Sequence, residues 1–302
     1  MKASSTKKEQ VKKIELEFTG QNASHVIREK LLSPEPCMIA RFGNNELKIV
    51  LEYQNSYQQW KYIKYVTGKI TTYKINESTF QSAYNNAGIF PSNEETLGKF
   101  AKLMLEDMKE IDVLGSWIPG ETFFKDEIKN AVKIRLKDIE PYYHLDPWSS
   151  ALQGLKILVI HPFSRSIEEQ YKKREFLFQN QQVLPLFELN TIQAVQSIAG
   201  QSTSFTDWFE ALDHMKDQIK KVDFDIAIIG CGAYGFPLAA FVKRLGKKSV
   251  HMGGATQVLF GIKGTRWLEH EYISSLFNEH WKFPKRNETP KNFENVENGC
   301  YW

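Results

Sequence analysis

Apolar runs and amphipathic stretches alternate along the second half of the chain. Residues 156–163 (KILVIHPF) and 225–229 (DIAII) are almost continuously apolar, whereas residues 205–222 carry apolar side chains at helical spacing. A second amphipathic stretch at 236–245 and a short apolar run at 249–252 follow. Strands without polar alternation are typical of a parallel sheet that is covered by helices on both faces. The pattern therefore predicts an α/β fold with a mostly parallel sheet.

The first half of the chain has a less regular pattern. Apolar residues recur at helical spacing over residues 94–111, which predicts a helix. The apolar run at 112–118 stops at a Pro-Gly pair and predicts a strand. Residues 125–136 are expected to be helical, and residues 183–189 predict a weaker strand. Helices and strands thus alternate from one half of the chain into the other.

Three regions of the chain differ in character. We predict an N-terminal helical extension at 1–35, an α/β body at 36–280 and a polar tail at 281–302. The tail ends in two aromatic residues that would be costly to leave in water, so we expect it to dock on the body. The proline- and tyrosine-rich connection at 141–153 is where an internal boundary would fall.

Composition limits the classes of function. The 302 residues are 42% hydrophobic, which is enough to bury a large core. A net charge of +3 gives no sign of nucleic-acid binding, although a local basic groove for phosphates is compatible with it. Three widely separated cysteines predict neither a zinc site nor a disulfide framework, and favour a reducing compartment. We expect a cytoplasmic protein, with peripheral contact at the inner face of the cell membrane through lysines among residues 7–13.

The apolar run at 38–42 is followed by a turn with two interpretations. Asn44 is a good N-cap and Glu46 suits the positive end of a helix dipole, so the turn has a local explanation. The same turn lies at the carboxyl edge of a parallel sheet, where open α/β folds bind ligands. In that case Arg41 and Glu46 would face a substrate or a metal ion. The turn alone leaves both interpretations open.

A glycine-rich turn follows the predicted strand at 225–229. Gly230, Gly232 and Gly235 match G-x-G-x-x-G, a pattern that brings backbone close to a phosphate at a helix N-terminus. A dinucleotide site would also need an acidic residue about 20 positions on, at the end of the next strand. That strand ends in His251 instead, which argues against NAD(P). The glycines then serve either tight packing or a different anionic ligand.

Other predicted strand ends carry further hydrogen-bond donors and cations. Each of these residues also has an ordinary structural explanation, such as a hydrogen-bonded histidine or a solvated basic helix face. Because the carboxyl ends of parallel strands share one edge, their convergence would suit a diphosphate. The candidate ligand-binding residues are Gly43, Asn44, Arg165, Gly230, Gly232, Tyr234, Lys243, His251, Gly253, Gly254, Gln257 and Lys263, together with Arg41 and His161.

Several of these segments resemble one family. Residues 41–46 (RFGNNE) resemble the R-F-G-D-x-E element of the GT-D type glycosyltransferases, bacterial enzymes of surface-glycan and capsule biosynthesis. Residues 230–243 and 251–264 are similar to stretches in related proteins, and the resemblance covers most of the chain from Cys37 onward. It implies a Rossmann-like, GT-D-like fold with helices on both faces of the sheet. It also implies sugar transfer from a nucleotide-diphosphate donor, a UDP-sugar first of all, to a hydroxyl of a glycan or lipid-linked glycan.

The resemblance assigns roles to the residues of the first turn. Arg41, Glu46 and His161 become the candidate catalytic residues, and Glu46 would be a metal ligand or a general base. The family's D-x-E motif is associated with a divalent metal, Mn²⁺ or Mg²⁺, and the diphosphate. Here Asn44 replaces the aspartate, and an amide is a poorer ligand for a hard cation.

Two alternatives to sugar transfer remain open. The substitution at Asn44 favours a non-catalytic nucleotide-sugar-binding or scaffold protein of a glycan-assembly complex. A nucleotide-dependent methyltransferase or dehydrogenase would rest on the glycine turn alone. The sequence does not identify the donor sugar, the acceptor, the stereochemical outcome or the oligomeric state.

Overall fold

A single sheet of seven parallel strands organises the protein. The computed structural model describes residues 14–57, 59–70 and 72–302. The strand order is β3-β2-β1-β7-β6-β4-β5, and the predicted Rossmann-like α/β class is confirmed. The strands are β1 (Cys37–Ala40), β2 (Val113–Ser116), β3 (Val132–Arg135), β4 (Lys156–His161), β5 (Glu188–Gln193), β6 (Ile226–Ile229) and β7 (Lys248–His251).

Helices cover both faces of this sheet. The α-helices of the described residues are α1 (Gln21–Leu32), α2 (Asn44–Tyr57), α3 (Lys61–Val66), α4 (Glu77–Asn85), α5 (Glu94–Asp107), α6 (Ser164–Tyr171), α7 (Trp208–Ile219), α8 (Gly235–Arg244), α9 (Ala255–Leu259) and α10 (Glu271–Ser275). Short 3-10 turns connect many of them.

Each central strand contributes side chains to two hydrophobic cores. In β1, Met38 packs with the core under α2, α5, α7 and α8, and its neighbour Ile39 packs with the core on the other face. In β6, Ile229 and Ile228 divide between the two faces in the same way. Successive side chains of a strand point to opposite faces, so both must be apolar when both faces are covered. This explains the continuous apolar runs in the sequence.

The chain leaves neighbouring strands toward opposite faces, which opens a crevice at the carboxyl edge. After β1 and β6 it enters α2 and α8, whose Leu47 and Leu238 belong to one core. After β4 and β7 it enters α6 and α9, whose Ile167 and Val258 belong to the other core. In the sheet order, β7 lies between β1 and β6, and β6 lies between β7 and β4. Ligands bind at such switch points in open α/β sheets.

The structure corrects two sequence predictions of local structure. Residues 125–136, predicted as a helix, form turns followed by β3 at Val132–Arg135. Four residues of β3 pair with β2, and Val132 N also donates to Asp112 O at 2.9 Å, so pairing at the sheet decides the conformation. The weak strand predicted at 183–189 lies further along, as β5 at Glu188–Gln193.

The beginning and end of the described chain both pack on the body. Ala23, Ile27 and Leu31 of α1 are buried in the core on its side of the sheet. Trp281 and Trp302 are also buried there. The lysines among residues 7–13 lie outside the described residues. Within the described ranges, no helix combines the length and the apolar character needed to cross a membrane.

Candidate functional site

The carboxyl edge of the sheet encloses a cavity of about 340 Å³. This volume lies at the lower end of the range of about 300–1,000 Å³ found for small-molecule sites. Each of the seven strands leads into its wall, so the predicted convergence of strand ends is confirmed. In chain order of the strands, the wall includes Arg41, Trp117, Glu140, His161, Ser197, Gly232 and Gly253.

Twelve of the fifteen predicted site residues lie in this wall. The other three, Arg165, Lys243 and Lys263, do not. The twelve are Arg41, Gly43, Asn44, Glu46, His161, Gly230, Gly232, Tyr234, His251, Gly253, Gly254 and Gln257.

Arg41 is the least compensated charge of the cavity. Its guanidinium carbon lies 5.0 Å from the centroid of the Trp117 ring, whose Nε1 donates to the Phe42 carbonyl at 3.0 Å. Burial lowers the pKa of Arg41, and Glu46 offsets only part of that shift. Within the described residues, the guanidinium makes no ion pair or hydrogen bond. A desolvated cation without a partner is suited to binding an anion.

A glycine after β7 leaves room for this arginine. Gly253 has a φ of +61°, and a Cβ at this position would lie 3.3 Å from Arg41 Nη1. A side chain there would be strained by its backbone and would crowd the guanidinium. Gly253 therefore gives the Arg41 guanidinium room in the cavity wall.

Glu46 folds back over the turn that precedes its helix. Its carboxylate occupies the space where a Cβ of residue 43 would stand, so a side chain at that position would displace the Glu46 carboxylate. Burial raises the pKa of Glu46, and a hydrogen bond from its own backbone N–H lowers it in part. Asn44 is exposed and begins α2. Glu46 thus lies in the first turn of α2, as the local explanation requires, whereas Asn44 is the first helical residue rather than the N-cap. Arg41 is not covered by that explanation.

Glu140 is a second carboxylate of the cavity, and the sequence analysis missed it. Burial raises its pKa to about 7, while a hydrogen bond from the Tyr142 hydroxyl opposes the shift. It follows β3, which the sequence pattern presents as a helix, so nothing placed it at the carboxyl edge. A carboxyl group that titrates near neutral pH can act as a general acid or base.

Glu46 and Glu140 are both carboxylates of the cavity wall. Among the residues that the structure describes, no group of three or more His, Cys, Asp or Glu side chains could hold an ion by itself. Mg²⁺ is commonly held by one or two carboxylates together with substrate phosphates and water, so this finding does not test the predicted role of Glu46. That role stays a prediction, and no chemical step is assigned to a metal.

The two histidines of the cavity are neutral. Burial lowers the pKa of His161 and of His251 to about 3. Nδ1 of His161 accepts the Phe163 N–H at 3.0 Å, so its proton is on Nε2, where it can be donated. Nδ1 of His251 lies 3.2 Å from the Ile229 carbonyl and carries the proton, which leaves Nε2 as an acceptor. The predicted phosphate contact of His251 therefore lacks a donor, whereas that of His161 keeps one.

The glycine turn after β6 has mainly a packing role. A Cβ on Gly230 would collide with the Gly253 carbonyl, and a Cβ on Gly235 would collide with the His251 ring. Gly232 has a φ of +58°, which favours glycine. The packing explanation accounts for the first and third glycines of the motif, as the absent acidic residue suggested.

Tyr234 and its neighbours make a rigid part of the wall. The ring of Tyr234 stacks on Trp208 with centroids 4.7 Å apart. Its hydroxyl lies 2.9 Å from Ser197 Oγ, which in turn donates to the Gly88 carbonyl at 2.6 Å. Because Ser197 uses its proton on Gly88, Tyr234 donates to Ser197. The hydroxyl of Tyr234 is therefore committed to the protein rather than to a ligand.

The first turn of α6, which carries the candidate ligand-binding residue Arg165, already holds a carboxylate of the protein. Glu288 accepts the backbone N–H groups of Arg165 at 2.9 Å and Ser166 at 3.3 Å, and also the Ser166 hydroxyl. The Arg165 side chain is exposed. The donor pattern of this loop was recognised correctly, but its anion is Glu288.

Two predicted lysines lie elsewhere. Lys243 is at the last turn of α8, toward the amino edge of the sheet, where its ammonium group lies 2.8 Å from Asp112 and 2.7 Å from the Glu110 carbonyl oxygen. The ammonium group of Lys263 lies 5.2 Å from the Phe277 ring centroid, outside the cavity wall. These contacts stabilise the fold, and both predicted ligand contacts are corrected.

The segment that carries Tyr301 forms a further part of the wall. Arg266 donates to Glu297 at 2.7 Å, and its guanidinium carbon lies 4.8 Å from the Tyr301 ring centroid. Gln257 Nε2 donates to the carbonyls of Tyr301 at 3.1 Å and Lys263 at 2.9 Å. The amide of Gln257 therefore holds this segment in place. The two terminal aromatic residues were expected to dock on the body, but the sequence pattern did not place Tyr301 or Arg266 in this wall.

Comparisons with protein-family models, with curated proteins and with solved structures found no match. What the site can do chemically is therefore inferred from its geometry. An unpaired guanidinium, a neutral imidazole donor and a carboxyl group that titrates near neutral pH share one cavity at a ligand-binding edge. This set suits an anionic substrate and a proton transfer.

Proposed function

We propose that the protein transfers a sugar from a nucleotide-diphosphate donor to an acceptor hydroxyl in bacterial surface-glycan biosynthesis. The observation that carries the proposal is Arg41, a desolvated cation without an ion-pair partner among the described residues, at the carboxyl edge of a parallel sheet. The resemblance of residues 41–46 to the GT-D element supports it. A diphosphate would supply the anion that this cation lacks.

The reaction needs charge stabilisation at the leaving group. The bond between the anomeric carbon and the diphosphate oxygen breaks, and negative charge develops on that oxygen. Arg41 would bind the leaving diphosphate, and His161 would donate its Nε2 proton in a hydrogen bond to it. Fixed donors in a water-poor site stabilise such charge without reorganisation.

The acceptor hydroxyl needs a base. Its oxygen forms the new bond to the anomeric carbon, and its proton passes to a carboxylate of the cavity. We assign this role to Glu140, because a base with a pKa near 7 is half deprotonated at neutral pH and still accepts a proton readily. Glu46, beside Arg41, is the second carboxylate that would face the donor.

A turnover assay tests the proposal. The purified protein is incubated with UDP-, GDP-, CMP- and dTDP-sugars, with a glycan acceptor, in chelator and in Mn²⁺, and nucleotide release is measured. We expect one donor to be consumed equally well in chelator, since Arg41 supplies the positive charge. Arg41→Lys should lower the rate because it lacks the bidentate fork, while Lys129→Gln on the exposed surface should not. No turnover of any donor would contradict an enzymatic role.

Non-catalytic binding of a nucleotide sugar is the second candidate. It is favoured by the missing aspartate at Asn44 and by the lack of a metal-ligand group in the described residues. A donor that raises the melting temperature without being turned over would support this candidate. A ligand at about 100 times its dissociation constant stabilises a protein by about 2.7 kcal/mol, which such a measurement detects.

A further inference from the structure

The loop between α2 and α4 exposes an unusual number of apolar side chains. We call the described residues of the range 57–75, which leave out positions 58 and 71, the aromatic loop; it includes α3, none of whose side chains is buried. Val66 is 83% exposed, and Trp60 and Tyr57 are each 67% exposed. Six large exposed apolar side chains within residues 57–66 are typical of an interaction site, whereas single scattered ones are ordinary. The large exposed side chains of the loop are Tyr57, Trp60, Tyr62, Ile63, Tyr65 and Val66.

The same stretch of chain is strictly basic. Residues 53–76 contain four lysines and no aspartate or glutamate. Lys69 and Lys74 are exposed, and neither has an acidic partner among the described residues. Lys69 and Lys74 therefore place positive charge beside the apolar side chains that no carboxylate of the described residues pairs with.

The loop is held at its base and packed within itself. The buried carboxylate of Glu52 accepts the Asn76 backbone N–H at 2.9 Å and its side-chain amide at 2.7 Å. The ring of Tyr73 packs between Tyr62 and Tyr65, with centroids 5.0 and 4.9 Å apart. The exposed side chains are thus presented on an organised loop at the end of α2.

We infer that the aromatic loop docks on the surface of an anionic lipid bilayer. Trp and Tyr prefer the membrane–water interface, Ile63 and Val66 can enter its apolar part, and lysines are attracted to anionic headgroups. Charge complementarity favours a bilayer over a second copy of the chain as the partner. A two-fold contact between two aromatic loops would bring their lysines together. Single-stranded nucleic acid would use the aromatic rings but not the two aliphatic side chains.

The docking surface is separate from the cavity. Helix α2 begins at the cavity wall and leads to the loop, and its 14 residues span about 21 Å. The inference therefore does not depend on the proposed function. A protein docked in this way would hold its cavity close to substrates that reside in the bilayer.

Vesicle co-sedimentation tests the inference. The full chain is mixed with vesicles of phosphatidylcholine and phosphatidylglycerol, and with vesicles of phosphatidylcholine alone. We expect binding to the anionic vesicles that weakens as salt is added. The combined variant Trp60→Ser, Ile63→Ser and Val66→Ser should lose at least about tenfold in vesicle affinity, because it removes the apolar contribution. The double variant Lys69→Gln with Lys74→Gln should have a several-fold lower affinity for the anionic vesicles. Its affinity for vesicles of phosphatidylcholine alone should not change.

Matched controls keep the result specific. Leu145→Ser with Phe176→Ser alters exposed apolar side chains elsewhere, and Lys102→Gln with Lys129→Gln alters exposed lysines elsewhere. Both should bind as the unaltered protein does. An unaltered far-ultraviolet spectrum and melting temperature would show that the loop variants are folded. The inference is overturned if the protein ignores anionic vesicles, if the loop variants bind equally well, or if the loop instead mediates dimerisation or binds an oligonucleotide.

Discussion

Burial has opposite consequences for the acidic and basic side chains around the cavity. It raises the pKa of Glu46 and Glu140, and it lowers the pKa of His161 and His251. In each case the charged form is disfavoured because it loses solvation. Arg41 has its pKa lowered too, but from a value so high that it stays protonated. The cavity is thus a weakly hydrated site whose least compensated charge is positive.

Glu140 gives a prediction for the pH dependence of stability. Its folded-state pKa of about 7 lies above its ordinary value of 4.5, so the folded state binds the proton more tightly. The stability contributed by protonated Glu140 is complete below pH 4.5 and is lost as the pH rises through about 7. Glu140→Gln should remove this loss of stability. Urea unfolding at pH values from 4.5 to above 7 would measure the free energy of unfolding of both proteins. Glu294→Gln, at an exposed position, is the control. If the free energy of unfolding of Glu140→Gln depends on pH as that of the unaltered protein does, the burial of the Glu140 carboxyl group is contradicted.

The same residue predicts the pH dependence of turnover. A general base must be deprotonated, so the rate should rise with pH around a midpoint near 7. Glu140→Gln should lose this rise and about a hundredfold or more of the rate. A pH–rate profile measures both effects. A rate that falls through pH 7 would instead make the protonated form of Glu140 the active one.

The hydrogen bonds of the two histidines predict their tautomers. His161 should carry its proton on Nε2 and His251 on Nδ1, because of the Phe163 N–H and the Ile229 carbonyl. Nitrogen NMR of the imidazoles distinguishes the two forms. Both rings should stay neutral at about pH 5, where an exposed histidine is protonated. Finding His251 protonated there would restore it as a phosphate-binding cation.

At the scale of elements, α6 shows how a correct local pattern can lead to a wrong ligand. Its first turn carries the donors that bind an anion at a helix N-terminus. The structure satisfies them with Glu288, which is 2% exposed and lies more than a hundred residues away in sequence. Sequence spacing identifies such donors, but it does not show that the chain itself brings the acceptor.

Replacing Glu288 tests this capping interaction. Glu288→Gln keeps the size of the side chain but removes its charge. It also places an amide NH₂ group against the N–H groups of Arg165 and Ser166, which are themselves donors. Hydrogen bonds to charged groups contribute about 1.5–3 kcal/mol, so we expect at least about 2 kcal/mol of lost stability. Chemical unfolding measures it, with Glu294→Gln as the exposed control, which should change stability by less than about 0.5 kcal/mol. Equal stability of the two variants would show that Glu288 contributes little to holding the segment on α6.

At the scale of the whole molecule, the fold was predictable and parts of the site were not. Apolar runs for β4 and β6 and helical spacing for α5 and α7 are strong signals, because both cores impose them. β3 lacks such a signal: its four residues are VKIR, and pairing with β2 decides its conformation. That error hid Glu140, which follows β3. Trp117 lies inside the strand predicted at 112–118, and only the observed end of β2 at Ser116 places it at the carboxyl edge.

The convergence of strand ends was predictable, but the use of each side chain was not. Parallel topology brings Arg41, His161 and Gly253 to one edge, whatever their neighbours. Whether a cationic side chain near the sheet forms an ion pair depends on contacts with residues that are distant in the sequence. The Lys243 ammonium group lies 2.8 Å from Asp112, whereas the Arg41 guanidinium lies over the Trp117 ring and forms no ion pair with a carboxylate of the described residues. This difference in partners makes Arg41 the central residue of the proposed site.

Calorimetric titration with nucleotide sugars measures whether Arg41 binds the diphosphate. Arg41→Met removes the unpaired cation, while Arg286→Met removes an exposed one as a control. Arg41→Met should be at least as stable as the unaltered protein, because a desolvated charge without a partner costs free energy. We predict saturable binding of a UDP-sugar to the unaltered protein and to Arg286→Met, and a loss of about 10- to 100-fold in affinity for Arg41→Met. Equal affinity in Arg41→Met, or no binding of any nucleotide sugar, would contradict the account.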